Sequence, residues 1–134
     1  MLAVETKRVP IMKFARTTYL LAAIYGIVVI LPGFFLEAQF SQATPPALTH
    51  PEFYYGFYGS ALVWQLAFVL ISRDPSRYRP LMLATVLEKA GFFFVCLALW
   101  SSGRMELSGP FYGSLIDGVW MILFITAWKR TPSQ

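Results

Sequence analysis

The sequence predicts an all-α integral membrane protein, a single domain built as a bundle of four spanning helices. Three observations lead there. Of 134 residues, 57% are hydrophobic and 13% charged, roughly half the charged share of a soluble domain. Four runs, 17–36, 53–72, 80–103 and 109–128, carry few or no charges, and each has the length of helix that crosses a hydrocarbon core of about 30 Å. The segments between them are too short to hold a soluble domain.

The first run, TTYLLAAIYGIVVILPGFFL, follows Lys7, Arg8, Lys13 and Arg16. Its apolar core exceeds the roughly 7–15 residues of a cleaved signal peptide and no A-x-A site follows it, so it reads as a retained span. Pro32-Gly33 near its far end is expected to bend or stop the helix, since proline lacks the backbone donor and glycine lowers helix propensity. The second run, FYYGFYGSALVWQLAFVLIS, leads into the basic loop RDPSRYR (73–79). The third, PLMLATVLEKAGFFFVCLALWSSG, places Glu88 and Lys89 where hydrocarbon is expected. After the turn RMELS, the fourth, GPFYGSLIDGVWMILFITAW, carries Asp117.

Nine of the eleven lysines and arginines lie in the N-terminal segment, in the 73–79 loop or in the C-terminal tail, whereas Glu37, His50 and Glu52 are the only charged or titrating groups between the first two spans. The positive-inside bias places both termini and the 73–79 loop in the cytoplasm. A formal charge of +4 spread over membrane flanks is not a phosphate-binding patch, so no nucleic-acid partner is expected. Tyr54, Tyr55, Tyr58, Phe111 and Tyr112 gather at the outer ends of the second and fourth spans and read mainly as an interfacial anchor.

One cysteine, Cys96, excludes an intramolecular disulfide, a dithiol redox pair and a multi-cysteine metal site within one chain, and one histidine, His50, excludes bis-histidine haem. His50 and Glu52 are too few to hold a metal. No cofactor or metal is expected. Gly59-Ser60 and Gly113-Ser114 lack a histidine within a span that could activate a serine.

A charged residue at mid-span costs roughly 2.5–3.5 kcal/mol on insertion scales. The third span is therefore marginal alone. Adjacent helical positions point about 100° apart, so Glu88 and Lys89 are not a natural pair. Lys89 shares its side with Met82, Val86 and Phe93 and has two options, an ion pair or snorkelling toward the headgroups. Glu88 shares a face with the small residues Ala84, Thr85 and Gly91 and is expected to point into the bundle.

Counting about 1.5 Å per residue puts Tyr25, Gln65 and Glu88 at a similar depth, with Asp117 about 6 Å further outward. Each helix thus offers one polar group near the bundle centre. Tyr25, Gln65, Glu88 and Asp117 are the candidate ligand or proton site, the alternative being a buried network that fixes helix register. Gly113 and Gly118 are expected to pack against neighbouring helices.

The tract HPEFYYGFYGSALVWQLAFVLISRDPSRYRPLM, continued by LEK, resembles small bacterial four-span proteins, and the layout of the whole chain resembles the DoxX-like group. Local pattern is shared over residues 50–89. The first span departs from the glycine- and lysine-containing one of DoxX itself. The resemblance implies an all-helical bundle of the bacterial inner membrane, accessory to respiratory or redox complexes, and it carries over no catalytic residue.

The expected function is non-enzymatic: a bundle in the lipid bilayer that binds a lipophilic small molecule, such as a lipid or quinone-like compound, or serves as an accessory subunit beside another membrane protein. The alternative is a proton-coupled small-molecule transporter acting as a homodimer through its membrane carboxylates. An enzyme passing a proton between Glu88 and Asp117 ranks third.

Overall fold

The computed structural model describes residues 2–132, with side chains from Met12 onward. The side chains of Lys7 and Arg8, which enter the topology argument, and residues 133–134 of the C-terminal tail lie outside what is described. Five α-helices follow one another: α1 (Leu2–Ile30), α2 (Glu37–Ala43), α3 (Pro51–Arg73), α4 (Arg79–Ser101) and α5 (Gly109–Arg130). Within them lie four helical stretches long and apolar enough to cross a membrane, Met12–Phe35, Pro51–Arg73, Arg79–Ser101 and Gly109–Arg130. The chain is an all-α, multi-pass membrane protein. The short α2 replaces part of what the sequence suggested as loop.

The helix boundaries follow local chemistry. Pro51, Pro80 and Pro110 open α3, α4 and α5 at positions where a missing N–H costs nothing. Pro32 and Gly33 convert the end of the first span into a 3-10 turn, Leu31–Phe35, as the sequence led one to expect. At the end of α4 the backbone turns through Gly103 at φ +70°. There the N–H of Gly103 donates to the Trp100 carbonyl and that of Arg104 to the Leu99 carbonyl, a paired closure that favours glycine in the left-handed conformation.

Around the bundle, α1 packs on α3 and α5, and α4 packs on α5, while α3 and α4 meet more sparingly. The core lies toward the basic end, where α3 passes into α4. Ala15, Tyr19, Phe68, Ile71, Met82, Phe124 and Ala127 are fully buried there. Tyr19 stacks on Phe124 with centroids 4.4 Å apart, and Phe68 meets Phe124 edge-on at 5.1 Å. Thr85 donates to the Met82 carbonyl, so the 2.8 Å bond between Tyr19 and Thr85 runs from the phenol to Oγ1. This layer joins all four spanning helices. Val28, Val63, Leu87 and Ile122 instead point outward and are well exposed, as a lipid-facing surface requires.

At the opposite end the tyrosines tie helices together. Tyr54 is buried and donates 2.7 Å to the Gly33 carbonyl of the 3-10 turn, and Tyr55 donates to Glu37 at 2.7 Å. A Cβ at Gly33 would collide with the Tyr58 ring. Tyr112 remains exposed, but Phe111 is buried. The aromatic cluster is thus partly an anchor and partly a clasp between α3 and the end of the first span.

The glycine expectations divide. A Cβ on Gly118 would meet the Phe93 ring at 2.9 Å, which is close helix packing, whereas one on Gly113 would meet nothing within 4 Å. Gly91 is exposed with open space beside it. Gly113 lines a cavity instead, and one turn away Asp117 meets α4 through the long side chain of Lys89.

Candidate functional site

Above the aromatic layer, toward the end that holds the tyrosine clasp, all four spanning helices line a partly open cavity of about 160 Å³. Its polar wall contains Tyr25 of α1, Gln65 of α3, Glu88 and Lys89 of α4, and Asp117 of α5. All five residues singled out in the sequence therefore share one space. Phe57, Tyr58, Phe92 and Trp120 contribute rings to the apolar wall. An apolar cavity of about 150 Å³ holds a benzene ring, so this one is sized for a single ring or a short chain.

Lys89 is the centre of the polar wall. Its Nζ lies 3.1 Å from Asp117 Oδ1 and 3.3 Å from each Glu88 oxygen, donating to Oε1. The residue is only 8% exposed. Phe68 presents its ring to the ammonium at 5.7 Å, within the range of cation–π attraction. Of the two options left by the sequence, Lys89 takes the ion pair. Ten residues, about 15 Å of helix, separate it from Arg79 at the basic end, further than its stem can reach, and a buried ammonium needs a counter-charge. The expectation that Glu88 and Lys89 diverge is also corrected. The Cα–Cβ bonds do point apart, but the four-carbon stem folds back so that one ammonium serves both carboxylates. The same reach closes the depth offset counted for Asp117.

Two further polar atoms in the wall have no partner. Gln65 is 1% exposed; its Nε2 donates 2.8 Å to the Ala61 carbonyl, which fixes the amide orientation and leaves Oε1 with no donor. The amide occupies the space beside Gly26, where any Cβ would strike it. Gly26 thus makes room for Gln65. Trp120 contributes the second unpartnered group, its indole Nε1–H. Glu88 Oε2, although within ion-contact distance of Lys89, accepts no hydrogen bond. Buried polar groups without partners are uncommon because each costs about 1–3 kcal/mol, and the side chains of Gln65 and Trp120, which carry two of them, line one cavity.

Sequence reasoning missed Trp120, Phe57 and Phe92. Trp120 could have been found: it lies three residues from Asp117, hence on the same helix face, and it meets Tyr25 at 5.9 Å between ring centroids. Phe57 and Phe92, 5.9 Å apart across α3 and α4, gave no signal in a span where aromatic residues are common. His50, at the N-cap of α3, and Glu52, in its first turn, stand 3.1 Å apart and exposed, and neither lines the cavity. Comparisons with protein-family models, with curated proteins and with solved structures found no match to this chain.

Proposed function

We propose that this protein is a non-enzymatic membrane bundle that binds a small lipophilic molecule by its polar head, with Lys89, Glu88, Asp117, Gln65 and Tyr25 as the head-group site. One observation carries the reading. Gln65 and Trp120, whose Oε1 and Nε1 are buried without partners, line the same ring-sized cavity as the charged cluster, and a network that only fixed helix register would be expected to satisfy its own members. A setting in the bacterial inner membrane with cytoplasmic termini, affiliation with the DoxX-like group, and a role beside a larger membrane complex belong to the same proposal.

A second reading, the homodimeric proton-coupled transporter, is favoured by the charge count of the cluster. Two carboxylates and one ammonium are neutral only with one proton or cation added, so the site has a place for an exchangeable charge. In this reading the same cavity serves as a transport site.

Native mass spectrometry of the protein released gently from its own membrane tests the binding reading. The expected spectrum contains an adduct of discrete mass on the wild type, absent from Gly113→Leu, whose side chain fills the cavity, and present in Gly56→Leu, where a Cβ also meets open space but outside the cavity. Retained thermal stability of Gly113→Leu would tie the loss to the filled site. A wild type without an adduct, or an adduct indifferent to Gly113→Leu, would sink the proposal.

A further inference from the structure

We infer that the molecule held in this cavity is a lipophilic amine in its ammonium form, and that it and a proton occupy the site in turn. The inference rests on the ligand-binding reading and adds the class of ligand.

The argument begins with the count of charges and hydrogen-bonding atoms. The titratable groups around the cavity are Tyr25 from α1, Tyr58 from α3, Glu88 and Lys89 from α4 and Asp117 from α5. With both carboxylates ionised the site bears one uncompensated negative charge. In a bundle surrounded by lipid such a charge is costly unless a positive partner or a proton meets it. Lys89 is already committed to both carboxylates, at 3.1 and 3.3 Å, so a further positive partner must come from outside the chain.

The unsatisfied atoms then specify what kind of cation fits. Gln65 Oε1 has no donor, and Glu88 Oε2 has only the shared Lys89 ammonium at 3.3 Å. A transition-metal site would draw on three or more His, Cys, Asp or Glu side chains, and no such cluster occurs among the described residues. A primary or secondary ammonium supplies several N–H donors on one cationic atom, which suits a cavity lined by two carboxylates and an amide with net negative charge. The rest of the wall suits the apolar part of such a molecule, since the rings of Phe57, Phe92 and Trp120 line a cavity sized for one ring.

Without the amine, a proton on the cluster neutralises the same charge and gives Glu88 a donor of its own. The exchange balances simply. A protonated Glu88 carboxyl releases its proton to water as the ammonium enters, leaving a carboxylate paired with the bound N–H groups; no covalent bond changes elsewhere. The two occupants cannot be present together, because both neutralise one charge.

The test uses the full chain in lipid nanodiscs and two isosteric probes, 2-phenylethylamine and 2-phenylethanol, which share a ring and a two-carbon arm but differ in charge. Calorimetric titration in two buffers of different ionisation enthalpy reads affinity and protons released. The amine is expected to bind at least tenfold more tightly than the alcohol and to release a proton on binding. Its affinity should fall as pH is lowered, approaching about tenfold per pH unit where the proton occupies the site. Glu88→Gln, which keeps shape but cannot ionise, should lose the preference for amine and the proton release while alcohol binding persists. Gly113→Leu should abolish binding of both. Equal affinity for the two probes, amine binding without proton release, or an amine preference that survives Glu88→Gln would each overturn the inference. Alcohol binding without amine binding would overturn it while leaving the lipophilic-ligand reading intact; the absence of both would overturn that reading as well.

Discussion

Replacing Lys89 by methionine keeps an unbranched stem and removes the ammonium that joins α4 to α5. Glu88 and Asp117 are then two carboxylates in a largely buried space without a cation, and removing one partner of a buried ion pair typically costs about 3–5 kcal/mol. The carboxylate side chains retain 18% and 16% exposure and both can take up protons, which limits the damage. The lower end, about 3 kcal/mol, is therefore expected. Reversible unfolding of the protein in mixed micelles would measure it, with helicity followed by circular dichroism. A triple variant, Lys89→Met with Glu88→Gln and Asp117→Asn, removes every charge while keeping the shapes and should recover most of the loss, because the penalty lies in the uncompensated carboxylates rather than in the absent lysine. A single variant within about 0.5 kcal/mol of wild type, the range of an ordinary surface change, would refute the reasoning. So would a triple variant as unstable as the single one.

Other substitutions probe the frame around the site. Tyr19→Phe keeps the stack on Phe124 and loses the bond to Thr85, so unfolding should become easier by about 0.5–1.5 kcal/mol; no change would mean that water or another group replaces the phenol. Gly118→Leu should cost at least about 1–3 kcal/mol through overpacking against Phe93, whereas Gly113→Leu should keep the wild-type melting temperature in detergent; the reverse order would invert the assignment of packed and open faces. With a Cys96→Ala variant expressed in a bacterial host, Arg77→Cys is expected to label only after the membrane is permeabilised and Ser41→Cys in intact spheroplasts; the opposite pattern would overturn the proposed orientation.

Much of the bundle was legible because lipid imposes a simple rule on sequence: a spanning helix must be long and apolar, and anything else within it stands out. That rule made Glu88, Asp117 and Gln65 visible without any alignment, and the approximate depth count brought Tyr25 beside them. It failed for Lys89. Helix geometry describes where Cβ points, but four rotatable bonds decide where Nζ ends, and the nearest countercharge lies on another helix that the sequence does not place. Gly113 was misread for a related reason. Small residues permit close approach but do not compel it, and only the path of α4 reveals that Gly118 is covered while Gly113 borders a void. Trp120 was hidden by the abundance of aromatic residues in the same spans, and its unsatisfied indole can be recognised only when its surroundings are known.

The shared ammonium also bears on the order in which the chain can enter a bilayer. Each of α4's two charges adds about 2.5–3.5 kcal/mol to the cost of inserting it alone, and the contact between Glu88 and Lys89 offsets part of this within a single helix. The contact to Asp117 does not exist until α5 follows. The connection between them is only residues 102–108, and α4 and α5 pack together along much of their length. The two helices are thus suited to enter as a hairpin, each relieving the charge the other brings, before closing onto α1 and α3. Truncation before α5 should leave α4 retained at the insertion machinery, because the chain would then lack the partner that makes its lysine tolerable in lipid.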